Sequence, residues 1–260
     1  MAYRIAALGP ANQSFGADHW RVCASAVRGA LHEKRESACQ DAFCCWSEGL
    51  CCIAVVADGA GSASRGGEGA ILAAQTIVDR IATDGFGTSV PNAIMTAMSE
   101  GRQALGDAAA SHGEKLHDYS ATIVGAVLYG QGGVFFHLGD GLAIAFDGAS
   151  PAKIRAVSHG TPSEFANITS FLTDSNWREN VVISKAAAVS SILLMTDGFS
   201  PFAVGPDAQP KPRFYEPILN FLHAHPGQVG EEALAELLNQ PTVRKTSGDD
   251  CTLLWAKRNG

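Results

Sequence analysis

Five aspartates in this chain share one local grammar, in which an apolar, strand-like run meets an acid beside a small residue. They are Asp41 in "CQDAF", Asp58 in "VVADGAG", Asp140 in "FHLGDGLA", Asp197 in "LLMTDGFS", and Asp249, followed by Asp250, in "SGDDCTLL". A lone Asp-Gly reads as an ordinary turn whose carboxylate accepts backbone hydrogen bonds. Five such acids at strand ends are harder to dismiss, because carboxylates gathered by a fold repel one another unless cations neutralise them. An all-carboxylate set selects hard, oxygen-preferring ions, Mg²⁺ or Mn²⁺ before zinc. Two such ions about 3.5–4 Å apart would acidify a bridging water and polarise a phosphoryl group, so the chemistry that suits the set is hydrolysis of a phosphate ester.

The elements that must carry these acids are legible as patterns. Apolar, β-branched runs at 20–27, 42–46, 50–57, 121–129, 133–139, 142–146, 191–196 and 251–257 predict strands, most of them joined by short Gly-containing hairpin turns. Helical periodicity predicts helices over 66–83, with Ile71, Ala74, Ile77, Val78 and Ile81 on one stripe, over 91–110 opening with Pro91, and over about 214–224 and 229–239. Strands in clusters and helices in pairs argue against strict βαβ alternation. They predict the α+β class, with antiparallel sheets covered by helices. Residues 1–260 are expected to form one domain. The turn-rich segments 159–180 and 200–213 are expected to border a binding cleft.

The chain has 260 residues, 46% of them apolar, and its 19 basic against 26 acidic residues give a net charge of −7 with no Lys/Arg run, which disfavours a basic nucleic-acid face. No apolar run approaches the roughly 18 residues that span a bilayer, and the N-terminus lacks the apolar core of a secretion signal. No membrane partner and a cytoplasmic location are therefore expected. Cys23, Cys39, Cys44, Cys45, Cys51, Cys52 and Cys251 fit neither a zinc spacing nor a disulfide framework, and are expected to be small buried hydrophobes of a reduced protein. The glycine-rich stretch after Asp58 lacks the Gly-Lys-Ser/Thr of a nucleotide loop. His32 is expected on a loop or the surface, and Trp20, Trp46 and Trp255 in the core or on a sheet face.

Taken together and in order, "CQDAF", "ADGAGSASRGGEGA", "HLGDGLAIAF", "ILLMTDGFS" and "GDDCTLLW" resemble the motifs of the metal-dependent PP2C protein phosphatases, and "SEFANITSFLTD" (163–174) is similar to a stretch in a bacterial branch of that family. The resemblance implies an α-β-β-α sandwich of two antiparallel sheets, phosphoserine or phosphothreonine in proteins as substrate, a partner Ser/Thr kinase, and two Mg²⁺ or Mn²⁺ ions. It places Asp58 as the acid bridging both metals, the carbonyl of Gly59 near one of them, and Asp41, Asp197 and Asp249 as further ligands. Asp140 takes the place linked to a third, weaker metal. Asp250 falls where the family commonly has Asn, so Asp250→Asn is expected to retain much of the turnover that Asp249→Asn loses.

The phosphate-binding arginine usually lies five residues before the first aspartate, where this chain has Glu36. Arg35, one residue off, is the candidate, with Arg21 and Arg28 as alternatives. Ala60 replaces the histidine that many eukaryotic members carry after the second-motif Asp-Gly. These departures leave open a second reading, a phosphoprotein-binding module that keeps the fold without turnover.

Overall fold

Strand β5 (Cys51–Asp58) shows how alternation builds the molecule. Ile53, Val55 and Ala57 point to one side and Cys52, Ala54 and Val56 to the other, and all six are buried. A strand apolar on both faces must lie in the middle of layers. In the computed structural model, which describes residues 2–8, 11–16, 19–84, 89–148, 152–160 and 169–259, it does so.

The first sheet has the order β1 (Tyr3–Leu8), β4 (Asp41–Glu48), β5, β6 (Ile123–Tyr129), β7 (Gly132–Leu138), β10 (Val182–Ala187). The second has β2 (Ala11–Gly16), β3 (Trp20–Val27), β12 (Cys251–Arg258), β11 (Ser191–Met195), β8 (Leu142–Asp147), β9 (Lys153–His159). All the pairings are antiparallel. Between the sheets lies an apolar layer of Phe43, Val56, Phe135, Leu194 and Leu254. Helices α2 (Gly66–Asp84) and α3 (Val90–His112) cover the outer face of the first sheet, while α5 (Pro212–Ala224) and α6 (Gln228–Leu238) cover the second. Short helices α1 (Ala30–Lys34), α4 (Ser200–Ala203) and α7 (Pro241–Thr246) complete the chain. This is the expected α-β-β-α sandwich.

The predicted strands and the four long helices are found within a few residues of their expected bounds. The buried stripe of α2 is, however, mainly alanine: Ala70, Ala73 and Ala74 precede Ile77, Val78 and Ile81, and Ile71 is only partly buried. Every cysteine but the partly exposed Cys51 is buried and free, with Cys45 and Cys52 in sulfur contact at 3.7 Å across the β4–β5 pair. Trp20 and Trp255 are core residues and Trp46 is partly buried.

The glycines after Asp58 have a packing role that spacing alone does not reveal. A Cβ on Gly59 would lie 2.2 Å from the Gly66 carbonyl carbon, and one on Gly69 would lie 2.1 Å from the Tyr119 carbonyl oxygen. Gly59 lets the start of α2 sit directly against the loop that follows Asp58, and Gly69 lets the same turn pass the backbone of Tyr119. Gly69→Ala should therefore destabilise the protein even though alanine is the better helix former. Gly106→Ala, inside α3 where a Cβ meets nothing within 4 Å, should stabilise it by up to about 1 kcal/mol. Thermal melts of the two variants shifting in opposite directions are the expected result.

Candidate metal centre

All the motif aspartates arrive at one end of the sandwich. Asp41 opens β4 and stands directly opposite Asp58, the last residue of β5. Asp140 sits in the turn between β7 and β8, Asp197 just after β11, and Asp249 just before β12. Asp58, Asp140 and Asp197 each place a carboxylate oxygen within 4.8 Å of the others.

Repulsion marks the cluster. Burial drives the Asp58 carboxyl far above the usual carboxylate range, and the charges of Asp41, Asp197, Asp249 and Asp140 push it the same way. Asp197 is pushed up to about 7 by burial and by Asp140 and Asp249. Neither Arg nor Lys is among the groups that offset these shifts.

Asp41 is fully buried, and its carboxyl is raised by burial and by the Asp250 charge. Its Oδ2 accepts hydrogen bonds from Thr196 Oγ1 and Thr252 Oγ1, both at 2.7 Å, whereas its Oδ1 has no partner among the described residues. A buried carboxylate oxygen left without a donor, beside oxygen-only neighbours that repel one another, is a donor set that fits a hard divalent cation. The Asp58 amide donates to Thr122 Oγ1 at 3.1 Å, and Thr169 Oγ1 donates to Asp140 Oδ2 at 2.6 Å, so threonines hold the Asp58 backbone and the Asp140 carboxylate.

The last motif divides its labour. Asp250 is buried, and its Oδ1 accepts the Gly29 amide at 2.7 Å. Its Oδ2 accepts the Gln40 amide at 2.6 Å and lies 2.7 Å from His32 Nδ1. Asp249 Oδ1 accepts the Asp250 amide at 2.9 Å, its carboxylate lies within 4.8 Å of ligand atoms of Asp250 and His32, and its charge reaches Asp58 and Asp197. One expectation is corrected here. His32 is neither a loop nor a surface residue: it is buried in α1 and tied to Asp250. Both oxygens of Asp250 are occupied by hydrogen-bond partners, so asparagine there would leave a buried N–H group without its acceptor.

The three candidate arginines differ in position. Arg35 is exposed at the C-terminal end of α1, with no side-chain partner among the described residues. Arg21 pairs with Lys257, six residues along β12 from Cys251, so it lies about 20 Å from the acidic end and is excluded as a phosphate ligand there. Arg28 follows the end of β3 on the acidic side and donates weakly to the Ser37 carbonyl at 3.5 Å. The threonines and the His32–Asp250 pair escaped sequence reading. Their one visible signal is that a threonine stands beside the aspartate in "MTD" and close after it in "DDCT".

Two packed antiparallel sheets flanked by helices, with acids converging at their ends, define a PP2C-type phosphatase fold. A family model described as Protein phosphatase 2C matches residues 28–239, and the chain belongs to that family. It is 28% identical over 266 residues to serine/threonine-protein phosphatase 3 of Escherichia coli strain K12, covering 92% of this chain and 99% of that protein. Among solved structures it is similar to serine-threonine phosphatase 2C from Toxoplasma gondii, with TM-score 0.64 and 12% identity over 99% of both chains. It is also similar to the catalytic domain of the serine threonine protein phosphatase PstP in complex with 2 manganese ions, with TM-score 0.61 and 18% identity over 93% of this chain and 99% of that one.

Asp250→Asn should cost stability on the order of 2–3 kcal/mol, because an amide NH₂ would replace an acceptor that faces buried N–H groups; a lowered urea midpoint at unchanged slope is the check. The acid cluster predicts a pH dependence as well. A carboxyl raised on folding favours the folded state fully at pH below its unfolded value near 4, and that contribution is lost as pH rises through about 7 for Asp197. Cations compete with those protons, so the gain in Tm on adding Mn²⁺ to chelated protein should be larger at pH 8 than at pH 5.5.

Proposed function

We propose that this protein hydrolyses phosphoserine and phosphothreonine in proteins, with Asp58, Asp197, Asp249 and Asp140 holding divalent cations, Asp41 Oδ1 and the Gly59 carbonyl beside them. The observation that carries this reading is the convergence of Asp58, Asp140 and Asp197 within 4.8 Å of one another, with Asp41, whose buried Oδ1 has no donor among the described residues, paired across the ladder from Asp58. Bound Mg²⁺ or Mn²⁺ would supply a hydroxide-like nucleophile at neutral pH and charge stabilisation for the phosphoryl oxygens.

The chain's own residues then have separate tasks. Asp41 holds Thr196 and Thr252, which precede and follow the cluster acids on their strands, and so positions Asp197 and Asp249. Asp58 and Asp197, which hold protons readily when no cation is near, release them on metal uptake. Arg28 and Arg35 are the cations at this end for substrate phosphate. With alanine at position 60, proton delivery to the leaving alkoxide falls to water or another side chain.

The segments expected to border the cleft fit this role. Gly160 packs against the Gly139 carbonyl and Thr169 bonds Asp140, so both described ends of 159–180 meet the Asp140 turn; residues 161–168 lie outside the described residues. Residues 200–213 form α4 and the entry to α5 directly after Asp197. The same reading takes 1–260 as one phosphatase domain, working in the cytoplasm opposite a Ser/Thr kinase. No helix of the described residues is long and apolar enough to cross a membrane.

Purified protein should hydrolyse a phosphothreonine peptide with Mn²⁺ or Mg²⁺ and stop on chelation. Asp249→Asn should lower metal-dependent kcat/KM by more than the roughly 10–100-fold that loss of an outer-shell partner costs. Metal uptake without turnover under every condition would instead establish the binding-module reading.

A further inference from the structure

A groove of about 650 Å³ runs between α1 and α7 and is lined by Leu31, Lys34, Pro241, Arg244, Lys245 and Gly248, among others. Its floor is apolar, with Leu31 45% exposed. The Leu31 amide bonds the Gly248 carbonyl at 2.8 Å, which closes one end of the groove a single residue from Asp249.

The charged residues that line it are all basic, on a protein whose net charge is −7. Glu33, the nearby acid of α1, is taken up by an ion pair with Arg244, and Arg244 is further fixed by the Arg28 carbonyl at 3.1 Å. Lys34 and Lys245 are exposed and have no ion-pair partner among the described residues. Arg35, also exposed, continues the positive edge.

We infer that this groove is a docking subsite for acidic residues that flank the phosphorylated residue of a protein substrate. The inference rests on the phosphatase reading above and adds a sequence preference to it. An extended substrate whose phosphate lies at the aspartate cluster passes the Gly248–Asp249 corner, where the lysines meet its carboxylates and Leu31 and Pro241 meet its aliphatic stems. Attraction at a partly apolar, exposed rim is modest per contact and adds over several contacts.

The test compares two phosphothreonine peptides of equal length, one flanked on both sides by glutamates and one by serines, with Mn²⁺ present. Wild type should favour the acidic peptide by about three- to tenfold in kcat/KM, the scale of two or three exposed ion pairs, and salt should erode the preference. In Lys34→Glu/Lys245→Glu the ratio between the two peptides should fall to one or invert. Lys34→Ala/Lys245→Ala, a milder change, should give an intermediate ratio, with thermal melts confirming that both variants fold.

A ratio near one in wild type, or an unaltered ratio in the reversed variant, overturns the subsite. An aryl phosphate reports the phosphatase reading separately. If neither it nor the peptides turn over, fluorescence anisotropy with the same two peptides decides the groove: preferential, lysine-dependent binding of the acidic one supports it, and equal binding overturns it.

Discussion

At their functional end the two sheets are joined through a buried carboxylate, Asp41. Asp41 belongs to the first sheet, while Thr196 and Thr252, the hydroxyls that bond its Oδ2, belong to the second. Hydrogen bonds to a charged acceptor contribute roughly 1.5–3 kcal/mol each, against a desolvation cost that grows with burial. The same three residues fix the cluster. Asp58 lies across the ladder from Asp41, Asp197 follows Thr196, and Asp249 lies three residues before Thr252. Breaking this brace would loosen the sandwich and the acid geometry together.

The cluster it holds is frustrated by itself. Burial and the charges of Asp140 and Asp249 raise the affinity of Asp58 and Asp197 for protons, and neither arginine nor lysine is among the groups that offset this. A sequence selected for stability alone would not place four acids at one sheet end. Local conflicts of this kind are expected where function needs them, and they are relieved by the ligand they are built to hold. The glycine contacts of α2 and the threonine bonds to Asp58 and Asp140 supply the rigidity that keeps the acids from splaying apart.

What the sequence disclosed divides by position in the sheets. The interior strands, buried on both faces, were readable as apolar runs. The four strands that were not, β1, β2, β9 and β10, are the edge strands of the two sheets. Edge strands mix polar residues such as those of "ANQSFG" and "KIRAVSH" with few apolar ones, because one side needs no partner and must resist further pairing. The acids of the site were readable because each ends or opens a strand. His32 and Asp250 were not, since their partnership spans 218 residues and nothing local in "GALHEKRE" signals burial.

The neighbouring acids Asp249 and Asp250 show how one motif serves both fold and site. Each offers a ligand atom within 4.8 Å of the other, yet their hydrogen bonds differ. Asp250 turns inward and binds two backbone amides and His32, which ties the start of β12 to α1 and to the segment entering β4. Asp249 is exposed, accepts the Asp250 amide with Oδ1, and adds its charge to Asp58 and Asp197. Asp41 and Asp58 repeat the arrangement across a ladder, with one carboxylate bonded by side chains inside the sandwich and the other at its rim. The two inward acids lie close enough for the charge of Asp250 to raise Asp41. The site is therefore two tiers of carboxylates: an inner tier, Asp41 and Asp250, held in place by hydrogen bonds from the chain, and an outer tier without such a brace from the opposite sheet.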